Sequence, residues 1–204
     1  MKKPLIILTG PTAVGKTSLS IALAKAVNGE IISADSMQVY RHMDIGSAKI
    51  RPEEMQGVPH HLVDCLEPDE EFNVVRFQQM AKEAMKGIYD RGRIPVLVGG
   101  TGFYIQAVTG DIDFTVHGED TTYRQILEEK AKTEGAQVLH EMLAVVDPAS
   151  AAAIHANNVK RVIRALEYYR QTGKPISQHN EEQRQKESPY NLAYFVLNDE
   201  RTRL

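Results

Sequence analysis

Residues 10–17 read GPTAVGKT and directly follow the apolar run Leu5–Leu8. The spacing Gly-x-x-x-x-Gly-Lys-[Ser/Thr] is that of a P-loop, whose backbone N–H groups surround a diphosphate. A strand, a glycine loop and a helix in this order place a bound phosphate at a helix N-terminus. The helical spacing ends at Asn28 and Gly29, and it is carried by Leu19, Ala22, Leu23 and Ala26. The chain is therefore predicted to begin with a phosphate-binding strand–loop–helix unit.

The P-loop spacing also assigns roles within the loop. Lys16 reaches the outer oxygens of the diphosphate, and the hydroxyl of Thr17 is a ligand of Mg²⁺. Mg²⁺ is thus the expected cofactor, and Thr17 is the expected metal ligand. The predicted diphosphate-binding residues are Gly10, Pro11, Thr12, Ala13, Val14, Gly15, Lys16 and Thr17.

Strand-like and helix-like segments alternate through the first hundred residues. Residues 30–35, 60–65 and 94–100 have the composition of buried strands, and Asn73 can cap a helix between the last two. Strands that alternate with helices form parallel sheets with helical crossovers. The sequence therefore predicts an α/β fold, a P-loop NTPase-like doubly wound parallel sheet, with ligands at the carboxyl ends of the strands.

Two further candidate site residues follow strands at this edge. Asp35 ends the second predicted strand, where its carboxylate can bind Mg²⁺ through water or accept a proton. Thr101, in the sequence GGTGFY, follows the strand at 94–100 and supplies a hydroxyl. In both cases an ordinary turn is the alternative interpretation, since aspartate, glycine and threonine are common in turns.

The order of segments changes near Asp120, after which helical periodicity dominates until the apolar run at 192–197. Three or more helices are predicted, at about 123–135, 138–146 and 157–172. We expect a P-loop α/β core at 1–114, a helical insertion at 115–188 and a return to the core at 189–204. A separate C-terminal helical domain is disfavoured, because the strand-like run resumes after the helices.

The last of these helices carries a basic surface. Its apolar residues, Val159, Val162, Ile163 and Leu166, form a stripe that is expected to be buried. Its basic residues outnumber its one acid, Glu167, and are suited to binding the phosphates of an RNA backbone. A solvated helix surface is the alternative. The basic residues are Lys160, Arg161, Arg164, Arg170 and Lys174.

Bulk properties narrow the class of protein. With 204 residues the chain supports one domain with an insertion, and its net charge of −3 argues against indiscriminate polyanion binding. The single cysteine, Cys65, cannot form an internal disulfide, and no apolar run is long enough for a signal peptide or a membrane span. A cytoplasmic protein is expected. His60 and His61 are neighbours on a predicted strand and point to opposite faces, so a structural role is favoured over a shared metal.

A P-loop alone is compatible with several functions. The chain lacks the Asn-Lys-x-Asp signature of a GTPase, and its strand at 94–100 ends in glycine rather than in the metal-binding acid of many ATPases. A small-molecule kinase stays open, because Asp35 can activate a hydroxyl for phosphoryl transfer. A non-catalytic RNA-binding switch stays open as well.

Longer strings select among these alternatives. GPTAVGKT, ADSMQVYRHMDIGSAK, VPHHLVD, VGGTGFYI and NNVKRVIRALEYYRQTGK occur in this order. Together they closely resemble the tRNA dimethylallyltransferase (tRNA isopentenyltransferase) family over essentially the whole chain. The resemblance implies transfer of a dimethylallyl group from dimethylallyl diphosphate to N6 of adenosine 37 in the tRNA anticodon loop, with release of diphosphate. The P-loop would then bind the donor diphosphate rather than ATP, and Asp35, with Lys16 and Thr17, would be catalytic.

The resemblance, together with the basic helix, also implies contacts with tRNA. The matching residues are Asp35, Ser36, Met37, Gln38, Thr101, Arg124, Val159, Lys160, Arg161, Val162, Ile163 and Arg164. A monomer without membrane contact is expected, and the family's C-terminal helices are expected to be missing after 189–204. His42 stands where the family usually has glycine. The rival interpretation is an isopentenyltransferase that acts on free adenine nucleotides.

Overall fold

A computed structural model describes residues 2–114 and 121–199 of the chain. These residues form two compact units, a core unit built from residues 1–112 and 187–204 and a helical unit built from residues 113–186. The expected boundary between residues 114 and 115 adjoins residues 115–120, which lie outside the described residues, and so do residues 200–204 of the expected return to the core. Each unit is described by itself.

The core unit contains a parallel sheet of five strands in the order β3-β2-β4-β1-β5. The predicted α/β fold with a parallel sheet is therefore confirmed. The strand expected at 60–65 is wrong in length, because Leu62 and Asp64 adopt left-handed backbone conformations (φ of 61° and 51°) that cannot continue a strand. The strands are β1 (Lys3–Thr9), β2 (Gly29–Ser33), β3 (His60–His61), β4 (Ile94–Gly99) and β5 (Tyr190–Val196).

Three helices accompany this sheet: α1 (Lys16–Ala26), α2 (Val74–Asp90) and α3 (Gly102–Thr109). The predicted cap of α2 is present, since the side chain of Asn73 accepts hydrogen bonds from the N–H groups of Val75 and Arg76 at 3.1 Å each. Helix α3 begins within the GGTGFY segment, for which a turn into a helix is the alternative interpretation to a binding loop. Helix α1 packs on one face of the sheet through a buried apolar cluster that includes Ile6, Ile21, Ala24, Ile31 and Val96.

Strand β5 lies at the edge of the sheet and is paired on one side to β1, from Lys3 with Tyr190 to Thr9 with Val196. The strand-like run after the helices thus rejoins the sheet. Several of its large apolar side chains are exposed, with Tyr194 at 52% and Val196 at 66%. The four central side chains of β1, Leu5 to Leu8, are almost completely buried, so the apolar surface of the sheet continues outward onto β5.

The helical unit contains five helices among its described residues, of which α6 and α8 were not predicted. Its core is formed by apolar side chains from α4, α5 and α7, among them Leu127, Leu143 and Val162. The buried carboxylate of Asp147 joins α6 to α8 by accepting hydrogen bonds from the backbone and hydroxyl of Ser150 and of Ser177. The helices are α4 (Thr121–Glu134), α5 (Ala136–Val146), α6 (Pro148–Ala153), α7 (Val159–Thr172) and α8 (Ile176–Gln185).

Within residues 2–114 and 121–199, no helix is long and apolar enough to cross a membrane.

Candidate functional site

The carboxyl ends of three neighbouring strands bring the predicted site residues together. Thr9 of β1 pairs with Gly99 of β4, and Ser33 of β2 pairs with Val98 of β4. The P-loop, Asp35 and Thr101 therefore leave the sheet side by side. Glycine is required at position 99, because a Cβ atom there would lie 2.3 Å from the carbonyl oxygen of Ala34.

The P-loop has the backbone of an anion-binding loop. Ala13 and Gly15 have φ angles of 68° and 85°, and Gly15 immediately precedes α1. No side chain among the described residues caps α1, so its first N–H groups are available to a phosphate. Lys16 donates from Nζ to the carbonyl oxygens of Gly10 (2.9 Å) and Pro11 (2.5 Å). Burial lowers the pKa of Lys16, and the negative charge of Asp35 opposes this shift.

Asp35 sits in a turn that uses only one of its carboxylate oxygens. Its Oδ1 accepts hydrogen bonds from the N–H groups of Met37 (2.8 Å) and Gln38 (3.3 Å). Its Oδ2 accepts none from the described part of the chain, and the residue is half-buried. The alternative interpretation, a turn aspartate, therefore holds for Oδ1 and leaves Oδ2 available as a proton acceptor.

The side chains around Asp35 differ in their availability. Ser36 and Met37 are exposed, and the hydroxyl of Thr101, at the start of α3, does not cap that helix. The amide of Gln38 is already engaged, because its Nε2 donates to the carbonyl oxygen of Ala48 at 3.2 Å and its Oε1 accepts from Ser33 at 3.1 Å. Gln38 can therefore read a base edge only if these bonds break.

The residues present are compatible with Mg²⁺ bound through a ligand. Thr17 lies exposed in the first turn of α1 and offers a hydroxyl oxygen, a hard donor that suits this ion. No cluster of three or more acidic, histidine or cysteine side chains that could hold a metal occurs among the described residues. Such a donor set fits an ion held mainly by phosphate oxygens and water, because Mg²⁺ keeps several waters and binds through few protein groups.

A cavity of about 740 Å³ opens beside α1. One wall is formed by the start of α1, including Thr17, Ser18 and Ile21, and the opposite wall by the segment from Asp44 to Gln56. The cavity borders the predicted metal ligand, so it leads to the outer side of the phosphate-binding loop. The segment that forms its far wall was not assigned any role from the sequence.

The basic surface predicted in the helical unit lies on α7. Lys160, Arg161 and Arg164 are exposed and form no ion pair with any described residue. Val162 and Ile163, which the resemblance matches to tRNA contacts, have side chains that are only 0% and 3% exposed and belong to the helical core. Their side chains are therefore not accessible to a ligand, whereas the cations lie on the exposed face of α7.

Arg124 has a structural partner that the sequence did not reveal. It donates a bidentate pair of hydrogen bonds to the carboxylate of Glu167, from Nε at 2.9 Å and from Nη2 at 2.8 Å. One helical turn further along α7, the guanidinium of Arg170 lies over the ring of Tyr123, 4.1 Å from its centre. Arg124 is 56% exposed, so its outer face is still open to solvent.

The two histidines lie on β3, beside Ile31 and Ile32 of β2, and have structural partners. His61 Nε2 lies 2.6 Å from Glu30, and His60 Nδ1 lies 2.8 Å from the carbonyl oxygen of Val58. The carboxylate of Glu30 is 1% exposed and also contacts Arg91 and Arg93. The hydrogen bond from Arg91 and the bond from His61 outweigh burial and lower the pKa of Glu30 to about 2. The structural interpretation of this histidine pair therefore matches the geometry.

Comparison with known proteins places these features in a family. The IPP transferase family profile matches residues 38–204, and an isopentenyl transferase profile matches residues 3–65. The chain is 69% identical to a tRNA dimethylallyltransferase of Lachnoclostridium phytofermentans, with 98% of this chain and 64% of that protein covered. It is 51% identical to the tRNA dimethylallyltransferase of Bacillus subtilis, with 100% and 64% covered.

Solved structures agree with these matches. A tRNA isopentenylpyrophosphate transferase from Bacillus halodurans is 47% identical, with a TM-score of 0.60 over 96% of this chain and 60% of that one. A eukaryotic dimethylallyltransferase acting on tRNA is 34% identical, with a TM-score of 0.86 over 97% and 49%. The chain spans just under two thirds of the length of the curated relatives it matches. On these grounds the chain belongs to the IPP transferase family.

Proposed function

We propose that this chain carries the catalytic core of a tRNA dimethylallyltransferase, which transfers a dimethylallyl group from dimethylallyl diphosphate to N6 of adenosine 37 in tRNA. The observation that carries the proposal is the juxtaposition, at the ends of β1 and β2, of a phosphate-binding loop and a carboxylate with one free oxygen. The names of the relatives give the dimethylallyl group and tRNA, whereas the donor diphosphate and N6 of adenosine 37 are implied by the family resemblance.

The P-loop acts on the leaving group. The first N–H groups of α1 and the ammonium of Lys16 stabilise the charge that grows on the diphosphate as the C1–O bond of the donor breaks. Lys16 must then exchange its bonds to Gly10 and Pro11 for bonds to phosphate oxygens. The hydroxyl of Thr17 would hold Mg²⁺, and the ion would supply positive charge that offsets part of the charge on the leaving diphosphate.

Asp35 acts on the nucleophile. The exocyclic N6 amine shares its lone pair with the adenine ring, so it becomes a better nucleophile when a base accepts its proton as the new bond forms. The free Oδ2 of Asp35 accepts this proton, while Oδ1 stays bound to the backbone and keeps the carboxylate oriented. The N6–C1 bond forms, the C1–O bond breaks, diphosphate leaves, and the proton moves to Asp35.

The acceptor is expected to be an RNA rather than a free nucleotide. Three cations on α7, which form no ion pair with the described residues, offer contacts to phosphates along a backbone, which a mononucleotide does not possess. The target base must leave the stacked anticodon loop to reach Asp35, and the exposed Ser36 and Met37 lie beside that position. A tRNA substrate also implies a cytoplasmic protein, which we expect to act as a monomer.

A single-turnover incubation tests the proposal. The chain, Mg²⁺, dimethylallyl diphosphate and a tRNA with adenosine at position 37 are combined, and the nucleosides are examined by mass spectrometry. Dimethylallyl adenosine at position 37 is expected, and AMP in a parallel reaction should remain unmodified. Prenylated AMP with unmodified tRNA would favour the nucleotide isopentenyltransferase. Formation of ADP from ATP would favour a kinase.

A further inference from the structure

The segment from Tyr40 to Lys49 is irregular and partly strained. It contains no helix or strand, and His42, Gly46 and Ala48 have φ angles of 64°, 81° and 48°. Left-handed backbone is unfavourable for residues other than glycine, so neighbouring contacts must hold this segment in place. Glycine adopts a left-handed φ such as that of His42 without strain, so glycine would suit this position in the turn.

Lys49 supplies these contacts. Its side chain is only 4% exposed, and Nζ donates to the carbonyl oxygen of Tyr40 at 2.7 Å, to Asp44 at 2.7 Å and to Asp64 at 2.6 Å. An ammonium group has three protons, so these three acceptors satisfy it completely. The bonds join both ends of the segment to the loop that follows β3. Burial disfavours the charge, but the bonds to Asp44 and Asp64 prevail and raise the pKa of Lys49.

The segment is in turn connected to the turn that contains Asp35. Gln38 donates from its side chain to the carbonyl oxygens of Ser47 and Ala48, at 3.4 and 3.2 Å. The backbone N–H of the same Gln38 donates to Asp35 Oδ1. If Ser47 and Ala48 move, Gln38 is therefore expected to move with them and to shift the carboxylate of Asp35.

We propose that Lys49 is a positioning residue, which holds the segment 40–49 closed and thereby fixes the turn that presents Asp35. The inference rests on the proposed function for its effect on catalysis, but the closure itself can be measured without activity. Lys49 lies outside the phosphate-binding loop, and its ammonium has no proton left for a substrate. It therefore acts through Gln38 and not on the reacting atoms.

The test compares Lys49→Met, which keeps the length of the side chain and removes the charge, with Lys82→Met in the same unit. Lys82 forms a single ion pair with Asp111, away from this segment. Hydrogen exchange of the Met37 and Gln38 amides is measured first, because these amides bind Asp35. Exchange is expected to be at least about tenfold faster in Lys49→Met and unchanged in Lys82→Met.

Single-turnover kinetics give the functional readout. Lys49→Met should slow prenyl transfer by about 10- to 100-fold, because small displacements of a catalytic group have effects of this size. Binding of inorganic diphosphate should stay within about threefold of wild type, because the P-loop is intact. The double variant Lys49→Met/Asp64→Asn should be no slower than Lys49→Met, since both changes break the same connection.

Unchanged exchange at Met37 and Gln38 in Lys49→Met would overturn the proposal, whatever the activity. Equal loss of diphosphate binding and transfer rate would also overturn it, because that result indicates general damage to the fold. If wild type makes no prenylated tRNA, the proposed function fails for this chain, while the exchange data still decide the role of Lys49. If Lys49→Met does not fold, Asp64→Asn provides the same comparison with one acceptor removed.

Discussion

The cations on α7 allow a quantitative test of RNA binding. Arg161 and Arg164 are exposed, lie one helical turn apart and have no ion-pair partner among the described residues. If each neutralises one phosphate of the anticodon stem-loop, each contributes about 0.7 to the slope of log K against log salt concentration. The variant Arg161→Ala/Arg164→Ala should therefore have a slope smaller by about 1.4.

This change of slope corresponds to a measurable difference in affinity. Between 50 and 200 mM KCl, wild type should lose about sevenfold more affinity for tRNA than the double variant does. Fluorescence anisotropy with labelled tRNA at several salt concentrations measures both slopes. Both arginines are exposed and contribute little to the core, so the double variant should be as stable as wild type. Urea unfolding of each protein checks that the helical unit is intact.

A matched control removes the same charge elsewhere in the helical unit. Lys130 and Lys132 on α4 form ion pairs with Glu134 and Glu129, at 2.7 and 3.6 Å. Lys130→Ala/Lys132→Ala should keep the wild-type slope, since paired surface cations release few counterions from the RNA. An unchanged slope in the arginine variant would refute the RNA-binding surface. Equal reductions in both variants would show a general effect of net charge.

Three further outcomes are expected from single substitutions. Asp35→Asn keeps the Oδ1 acceptor of the turn and removes the base, so transfer should fall by about 10²- to 10⁴-fold with diphosphate binding preserved; near wild-type turnover would contradict the role of Asp35. Glu30→Gln should destabilise the core unit by about 2 to 3 kcal/mol at pH 7, since it removes the buried carboxylate that binds Arg91, Arg93 and His61. Because the pKa of Glu30 falls from 4.5 to about 2 on folding, this stabilisation exists above pH 4.5 and disappears towards pH 2, so urea unfolding curves of the two proteins should converge in acid. Asp147→Ala removes four hydrogen bonds that join α6 to α8 and should lower the free energy of unfolding by about 3 kcal/mol. Circular dichroism during denaturation measures this change, and a value below about 1 kcal/mol would contradict the reasoning.

The parts of the fold that depend on local patterns could be predicted from the sequence. The P-loop follows from glycine spacing, the cap of α2 from Asn73, and the four longer strands from short apolar runs. Strand β3 was predicted too long, because nothing local reveals that Leu62 turns into a left-handed conformation. The short helices α6 and α8 were not predicted, because six or ten residues contain too few helical periods to be recognised.

The candidate site shows the same division. The positions of Asp35 and Thr101 follow from the rule that ligands bind at the carboxyl ends of parallel strands. The closure of the segment by Lys49 depends on Asp64, which is distant in sequence, and the pairing of Arg124 with Glu167 joins two helices. Hydrogen bonds between residues that are distant in sequence leave no recognisable spacing in the sequence. The partners of residues such as Gln38 are therefore known only from the structure.

The pairing of β1 with β5 has a consequence for synthesis of the chain. Lys3 pairs with Tyr190, so β1 cannot form this pairing until β5 has been synthesised. At about 5–20 residues per second, the interval between the end of β4 and the start of β5 is roughly 5–20 s. The helical unit has mostly local contacts and can fold within that time, whereas the sheet keeps an unpaired apolar edge. Nascent chains in which β1 has been made and β5 has not are therefore expected to need protection from aggregation.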